Sequence, residues 1–426
     1  MREMKDSGVE WIGEIPSAWD VARIKQISSK LTDGTHGTYE RVNIGKYLLS
    51  AKNVFEDGIR IGDNESLISE DDFRSITSNG FPQRDDVLLC CVGTVGRCTI
   101  YEYDEPIAFQ RSVIFIRCNE KMLPRYLKYS LQSPSTLYQE RLYINKSAQE
   151  GIYQGAVKEL VITCPKICEQ QKIVDFLDNK CAKIDSIIEK QQAIIEKLKK
   201  YKLSVITEAV TKGLNSDVEL KDSGSIWFGN IPVNWEMKRL KYVFHIQKDI
   251  AGEEGHTVLS ITQRGIVPKD FSNNEGQFAN SYANYQLVHI GDFAMNHMDL
   301  LTGWVDISKY EGVTSPDYRV FVLDDKNNNC PDYYLYLMQM CYSQKIFYGL
   351  GAGVSGLGRW RLQADKFLNF LIPIPPKSEQ ESIARFLDKQ IENVEKSIEK
   401  RITIIDKLQD YKKSLIYEVI TGKKEV

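Results

Sequence analysis

No apolar run in this sequence approaches the roughly 20 residues that a bilayer-spanning helix needs. VLLCCV at Val87 and FLIPIPP at Phe370 are among the longest. The opening MREMKDSG has no apolar stretch of the kind a secretory leader carries, so the expected location is the cytoplasm, with no membrane contact. The nine cysteines include no CxxC pair, and Cys164 with Cys168 lacks a second Cys or His pair to complete a zinc site. Reduced, mostly buried thiols are expected. The five histidines, His36, His245, His256, His289 and His297, have no metal-ligand spacing. Positive charge is also missing: the net charge of −3 means that any surface for nucleic acid is local or completed by a partner.

Catalytic signatures are absent as well. There is no GxxxxGK[ST] phosphate loop and no Asn-Pro-Pro-Tyr loop for amino methylation. GAGVSG (Gly351, Gly353, Gly356) fits G-x-G-x-x-G on paper. An aromatic helical stretch precedes it, however, where a dinucleotide site requires a strand. The expectation is therefore no catalytic, cofactor-binding or metal-ligating residue in this chain.

What the sequence does have is repetition. Glu169 to Gly213 (EQQKIVDFLDNK…) returns as Glu379 to Lys423 (EQESIARFLDKQ…) without a gap, at a constant offset of 210 residues (379 − 169 = 210). Leu177, Cys181, Ile184, Ile188, Gln191, Ile195 and Leu198 step by four and three, as do Leu387, Ile391, Val394, Ile398, Arg401, Ile405 and Leu408. That spacing is the a/d seam of a coiled coil. Uninterrupted by Pro or Gly, each helix would run roughly 65 Å. Two separate amphipathic helices remain the plainer alternative.

A second repeat precedes each helix. KDSGVEWIGEIPSAW at Lys5 returns as KDSGSIWFGNIPVNW at Lys221, an offset of 216 (221 − 5 = 216). Its tryptophans (Trp11, Trp19; Trp227, Trp235) suit packing on the domain or on the foot of a helix. Between the repeats lie short strand patterns: KYLLSAKNV at Lys46, DDVLLCCVG at Asp85 and FQRSVIFIRC at Phe109, followed by helix around Pro124 to Leu142. HTVLSIT at His256, YQLVHIGDFAM at Tyr285, YRVFVLD at Tyr318 and a helix from Asp332 repeat the plan, with almost no residue identity. Because the first long helix leads away from one domain to the next, the second must run back, giving an antiparallel pair.

The polar loops, among them TDGTHGTYER, SAKN, GTVGR, FQRS, SITQRG, AMNHMD, SPDYR and GRWR, set Arg, Lys, Gln, Asn and His beside glycines. Those side chains have the forked geometry that reads base edges.

In these features the chain resembles the specificity (S) subunit of type I restriction-modification systems. The resemblance spans the whole length. It rests on the doubled KDSG-x-x-W-x-G-x-I-P-x-x-W motif, the P-x-x-x-E-Q helix starts at Pro165 and Pro375, the two long helices, and the loops GTVGR, GD-x-x-M at Gly291 and SPDY. It implies an α+β fold of two mixed α/β target-recognition domains (1–165 and 215–376). They are joined by spacer helices (166–214 and 377–426) that form an antiparallel coiled coil with pseudo-two-fold internal duplication. It further implies a non-catalytic subunit whose domains each read half of a bipartite target in double-stranded DNA. The helices would set the gap and dock two methyltransferase subunits, and restriction/translocase subunits would join through the complex. S-adenosylmethionine, ATP and Mg belong to those partners. Residue type and position select Thr35, His36, Lys52, Asn53, Arg97, Gln110 and Arg111 in the first domain as DNA contacts. In the second they select Thr262, Gln263, Arg264, Asn296, Tyr318 and Arg359. A coiled-coil structural adaptor with two protein-binding domains is the alternative reading.

Overall fold

A computed structural model describes residues 2–78, 80–144, 151–271, 279–352 and 360–426. In each half a strand ends at a proline and a helix begins. Val161–Cys164 passes through Pro165 into a 46-residue helix, Ile167–Lys212. Leu371–Ile374 passes through Pro375 and Pro376 into a 44-residue helix, Lys377–Ile420. Proline lacks the N–H a sheet requires and presets the backbone for a helix start, so it separates the two elements cleanly.

The chain divides into two compact units: residues 1–191 with 402–426, and residues 192–401. Each unit thus contains part of both long helices. In the first, Leu177, Cys181 and Ile184 share a core with Leu415, Ile416, Val419 and Ile420, and Lys412 Nζ reaches both Asp185 carboxylate oxygens at 2.8 Å. In the second, Ile206, Ala209 and Val210 share a core with Ile383, Ala384 and Leu387, and Lys202 pairs with Glu395 at 2.6 Å. Low numbers on one helix face high numbers on the other, so the packing is antiparallel in both units. Ile195, Val394 and Ile405 are buried too, while Ile188, Leu198, Ile391, Ile398 and Leu408 are half-buried among exposed charged neighbours, as an a/d seam demands.

The first unit has a four-stranded antiparallel sheet in the order Cys98–Ile100, Val87–Cys90, Val113–Cys118, Ser28–Asp33. Beside it, Ala108–Phe109 pairs parallel with Lys46–Leu49. The second unit repeats the main sheet as Phe244–Gln247, Arg319–Leu323, Phe293–Met295, Val305–Ile307. Its core is more aromatic: Phe244 meets Phe293, Phe321 and Tyr334 edge-on at 5.1 to 5.4 Å. The helical pattern around Pro124 to Leu142 is two helices, Pro124–Gln132 and Pro134–Tyr143, because Pro134 cannot donate to the preceding turn.

Trp19 and Trp235 are 1% and 0% exposed. Each packs at the foot of a long helix: Trp19 with Leu415 to Ile420, Trp235 with Ile206, Ala209 and Val210. The helices end on Gly213 and Gly422, at φ +77° and +71°, a left-handed turn that glycine adopts without strain. A Cβ on Gly422 would lie 2.4 Å from Pro16, so the W-x-G-x-I-P-x-x-W arm and the helix end are fitted to each other.

The E-Q pair at each helix start has an equally local reason. Gln170 and Gln380 are buried. Gln170 Oε1 accepts the Leu123 N–H at 2.8 Å, while its Nε2 donates to the Lys121 and Pro165 carbonyls. Gln380 Oε1 accepts the Cys330 N–H at 2.8 Å and its Nε2 donates to the Pro375 carbonyl. Each glutamine therefore straps the start of a long helix to the start of a domain helix.

Candidate nucleic-acid interface

In the first unit the loop after Ser28–Asp33 crosses the segment Phe109–Arg111. The Thr35 N–H donates to the Phe109 carbonyl at 2.8 Å, and the Arg111 N–H donates to the Thr35 carbonyl at 2.9 Å. Gly34 permits this approach, since a Cβ there would lie 2.2 Å from the Phe109 carbonyl oxygen. Thr35, His36, Gln110 and Arg111 thus come together at one rim. Thr35 Oγ1 bonds Tyr39 Oη at 2.7 Å, and His36 Nε2 lies 2.8 Å from Asp33. Arg111 is exposed and has no side-chain partner among the described residues. A cavity of about 310 Å³ opens beside this rim.

Lys52, Asn53 and Arg97 form a second group around the turn at Ser50. Lys52 is exposed and pairs with Glu65 at 2.7 Å. Burial raises the Glu65 pKa, but hydrogen bonds from Lys52 and Asn53 outweigh it and hold the carboxyl below its usual range. Arg97 lies over the Phe55 ring at 4.7 Å and donates to the Ala51 carbonyl. Asn53 is different. At 3% exposure, it accepts the Ser50 N–H and donates to the Arg60 carbonyl and to Glu65. Its amide is spent on building the turn, so no group is left to meet a base.

In the second unit Gln263 and Arg264 are the exposed tip of a two-residue hairpin joining Leu259–Thr262 to Gly265–Pro268. Thr262 Oγ1 closes it, donating to the Gly265 carbonyl at 3.0 Å and accepting the Arg264 N–H at 3.1 Å. Gln263 donates to the Thr302 carbonyl at 3.2 Å, and Arg264 has no side-chain partner among the described residues. Asn296 caps its own turn by accepting the Met298 and Asp299 N–H groups. Tyr318 is half-buried against the core of Leu259, Ile261 and Val288, and burial raises its pKa. Arg359 lies outside the described residues.

Three cations and a histidine outside the loop selection lie near these: Lys248, Arg319 and Arg361, with His297, border one cavity of about 500 Å³, together with Tyr318 and Gln286. Arg319 is 6% exposed. Its Nη2 donates to the Leu362 carbonyl at 2.7 Å, the guanidinium lies 5.0 Å from the Phe367 ring, and Nη1 has no partner among the described residues. Burial pushes its pKa down to about 10. Burial, reinforced by Arg319, Arg361 and Lys248, holds His297 down to about 4, and its buried Nδ1 is also without a partner among the described residues. The sequence signal was the alternation of YRVFVLD, which puts Arg319 on the inward face with Phe321 and Leu323.

Two copies of one antiparallel sheet frame, each with its own polar rim and each built onto paired long helices, define a chain with two recognition domains. The model of the type I restriction modification DNA specificity domain matches residues 16–200 and 232–404, and the chain belongs to that family. It is accordingly a non-catalytic DNA-recognition chain of the type I restriction-modification class, and the adaptor alternative is not favoured. Two Methanocaldococcus jannaschii chains are similar. One, assigned as the MjaX type I restriction enzyme specificity subunit, is 26% identical over 97% of this chain and 95% of its own length. The MjaVIII specificity subunit is 24% identical over 96% and 93%. Among solved structures, a chain from a study of assembly and conformational transition of the type I R-M system aligns with TM-score 0.67 at 13% identity, covering 96% of this chain and 99% of that one. The HsdS subunit from Thermoanaerobacter tengcongensis aligns with TM-score 0.50 at 12% identity, covering 96% and 98%. At such identities the structural likeness speaks for the fold.

Proposed function

We propose that each domain reads one half of a bipartite target in double-stranded DNA, the first through Thr35, His36, Gln110 and Arg111 with Lys52 and Arg97, the second through Gln263 and Arg264 with Thr262, Asn296, Tyr318 and Arg359. Asn53 shapes its turn and is not counted among the readers. The long helices fix the gap between half-sites and dock two methyltransferase subunits, through which restriction/translocase subunits join. S-adenosylmethionine, ATP and Mg are held by those partners, and the complex works in the cytoplasm. The observation that carries this reading is the combination of a repeated frame with unlike rims: the rim beside the four-stranded sheet holds Thr35 and Arg111 in one copy, while in the other a separate two-stranded hairpin presents Arg264.

The test is an exchange of rims. Residues 27–160 are replaced by the matching segment of a relative with a different target, the chain is produced with its methyltransferase subunits, and methylated adenines are mapped by sequencing. One half of the methylated sequence should change while the other half and the gap persist. A change in both halves, or in neither, would overturn the assignment.

A further inference from the structure

Among the described residues, the cavity bordered by Lys248, His297, Arg319 and Arg361 has no carboxylate in its lining. A buried guanidinium without an acid partner is costly, and such groups are normally paired or replaced by apolar residues. The duplicated fold supplies the comparison directly. In the first unit Ile116 pairs with Val87 and Leu31; in the second Phe321 pairs with Phe293 and Ile246, so Ile116 and Phe321 are equivalent. Two residues earlier on the same face, Arg319 stands where the first unit has Ile114, which is 1% exposed. By the same register Lys248 stands in the place of Asp33. The Ile152 N–H donates to the Cys91 carbonyl as the Leu362 N–H does to that of His297, so His297 replaces Cys91 and Arg361 replaces Gly151.

One frame therefore has Asp33, Cys91, Ile114 and Gly151 where the other has Lys248, His297, Arg319 and Arg361. The sheet does not need a cation at any of the four positions, since the first unit folds with an isoleucine in the most buried of them. All four changes are toward positive charge or a nitrogen donor, and all four converge on one cavity. Its volume of about 500 Å³ exceeds what a small ion fills, and Tyr318, a candidate DNA contact, borders it. Guanidinium forks match the oxygens of a phosphate in geometry and charge.

We propose that this pocket binds one phosphodiester group of the DNA backbone, and that only the second domain grips its half-site in this way. Arg319, anchored by the Leu362 carbonyl and the Phe367 ring, supplies buried charge behind the cavity wall; Arg361 and Lys248 bring charge at the mouth; His297 is a further nitrogen group. The proposal rests on the DNA-reading role argued above, and the experiment separates the two.

Affinity of the full-length chain for mixed-sequence duplex DNA is measured from 50 to 200 mM KCl, with thermal melting as a check on folding. Lys248→Asp and Arg361→Gly, which install the first unit's residues at exposed or half-buried positions, should each weaken binding about tenfold at the lowest salt and reduce the log–log salt slope by about one. Arg319→Ile should do the same if it melts like the native chain. Lys326→Asp, an equal charge change at an exposed position outside the cavity, should leave the slope unaltered. If the native chain shows no salt-dependent DNA binding, both the reading and the pocket fail. If it binds DNA but the pocket variants keep the native slope, the pocket alone fails. If inorganic phosphate raises the melting temperature of the native chain and not of Arg361→Gly, while the DNA slope is the same in both, the site takes free phosphate and the backbone assignment is wrong.

Discussion

Glu140 illustrates how much one buried side chain imposes. It is 2% exposed, its Oε1 has no partner among the described residues, and burial raises its carboxyl to about 8. Between the ordinary value of 4.5 and about 8 the folded chain keeps a proton that the unfolded chain has released, so stability falls as pH rises through that window. Glu140→Gln removes the titration. The variant should gain on the native chain by about 3–5 kcal/mol between pH 4.5 and 8, with no further gain above that, measured as the difference in urea unfolding midpoints. A difference independent of pH would show that Glu140 is ionised in the fold. Asn53 teaches the complementary lesson: a side chain with base-reading chemistry serves its own turn once it is buried.

At the scale of elements, the doubled E-Q signature is explained by strapping. Removing the Gln380 amide leaves the Cys330 N–H and the Pro375 carbonyl buried without partners. Gln380→Leu should therefore destabilise by about 2–3 kcal/mol, and Gln170→Leu by at least as much, since it frees three backbone groups. Gln171→Leu, next in sequence but exposed, should change the midpoint by less than about 0.5 kcal/mol. Equal effects at Gln170 and Gln171 would mean that the motif is kept for something other than this contact. The helix ends follow the same logic: Gly213 and Gly422 turn the chain left-handed beside a buried tryptophan, so arm and helix form together.

At the scale of the whole chain, the doubled seam is what the ruler role depends on. Four residues inserted between Glu189 and Ile194, matched by four between Glu399 and Ile404 to keep the pairing, lengthen each helix by one turn, ~6 Å. The methylated gap should grow by about two base pairs while both half-site sequences persist. Methylation mapping that returns the original gap would refute the ruler, even if both domains read as before.

The duplicated plan is legible in the residues alone. A gapless offset of 210 residues, a three-four seam and a repeated tryptophan arm leave little freedom, because helix periodicity and capping are local and are written in adjacent residues. The sequence also put Arg264, Thr35 and Arg111 in loops of suitable chemistry, while the meeting of Thr35 with Arg111 is tertiary. Only the tertiary structure decided which polar groups are available. Asn53 and Gln170 are consumed by backbone groups up to 49 residues away, and Arg319 is left over because no carboxylate borders its cavity among the described residues. Satisfaction of a buried polar atom depends on contacts between segments distant in the chain, and spacing alone does not carry that information.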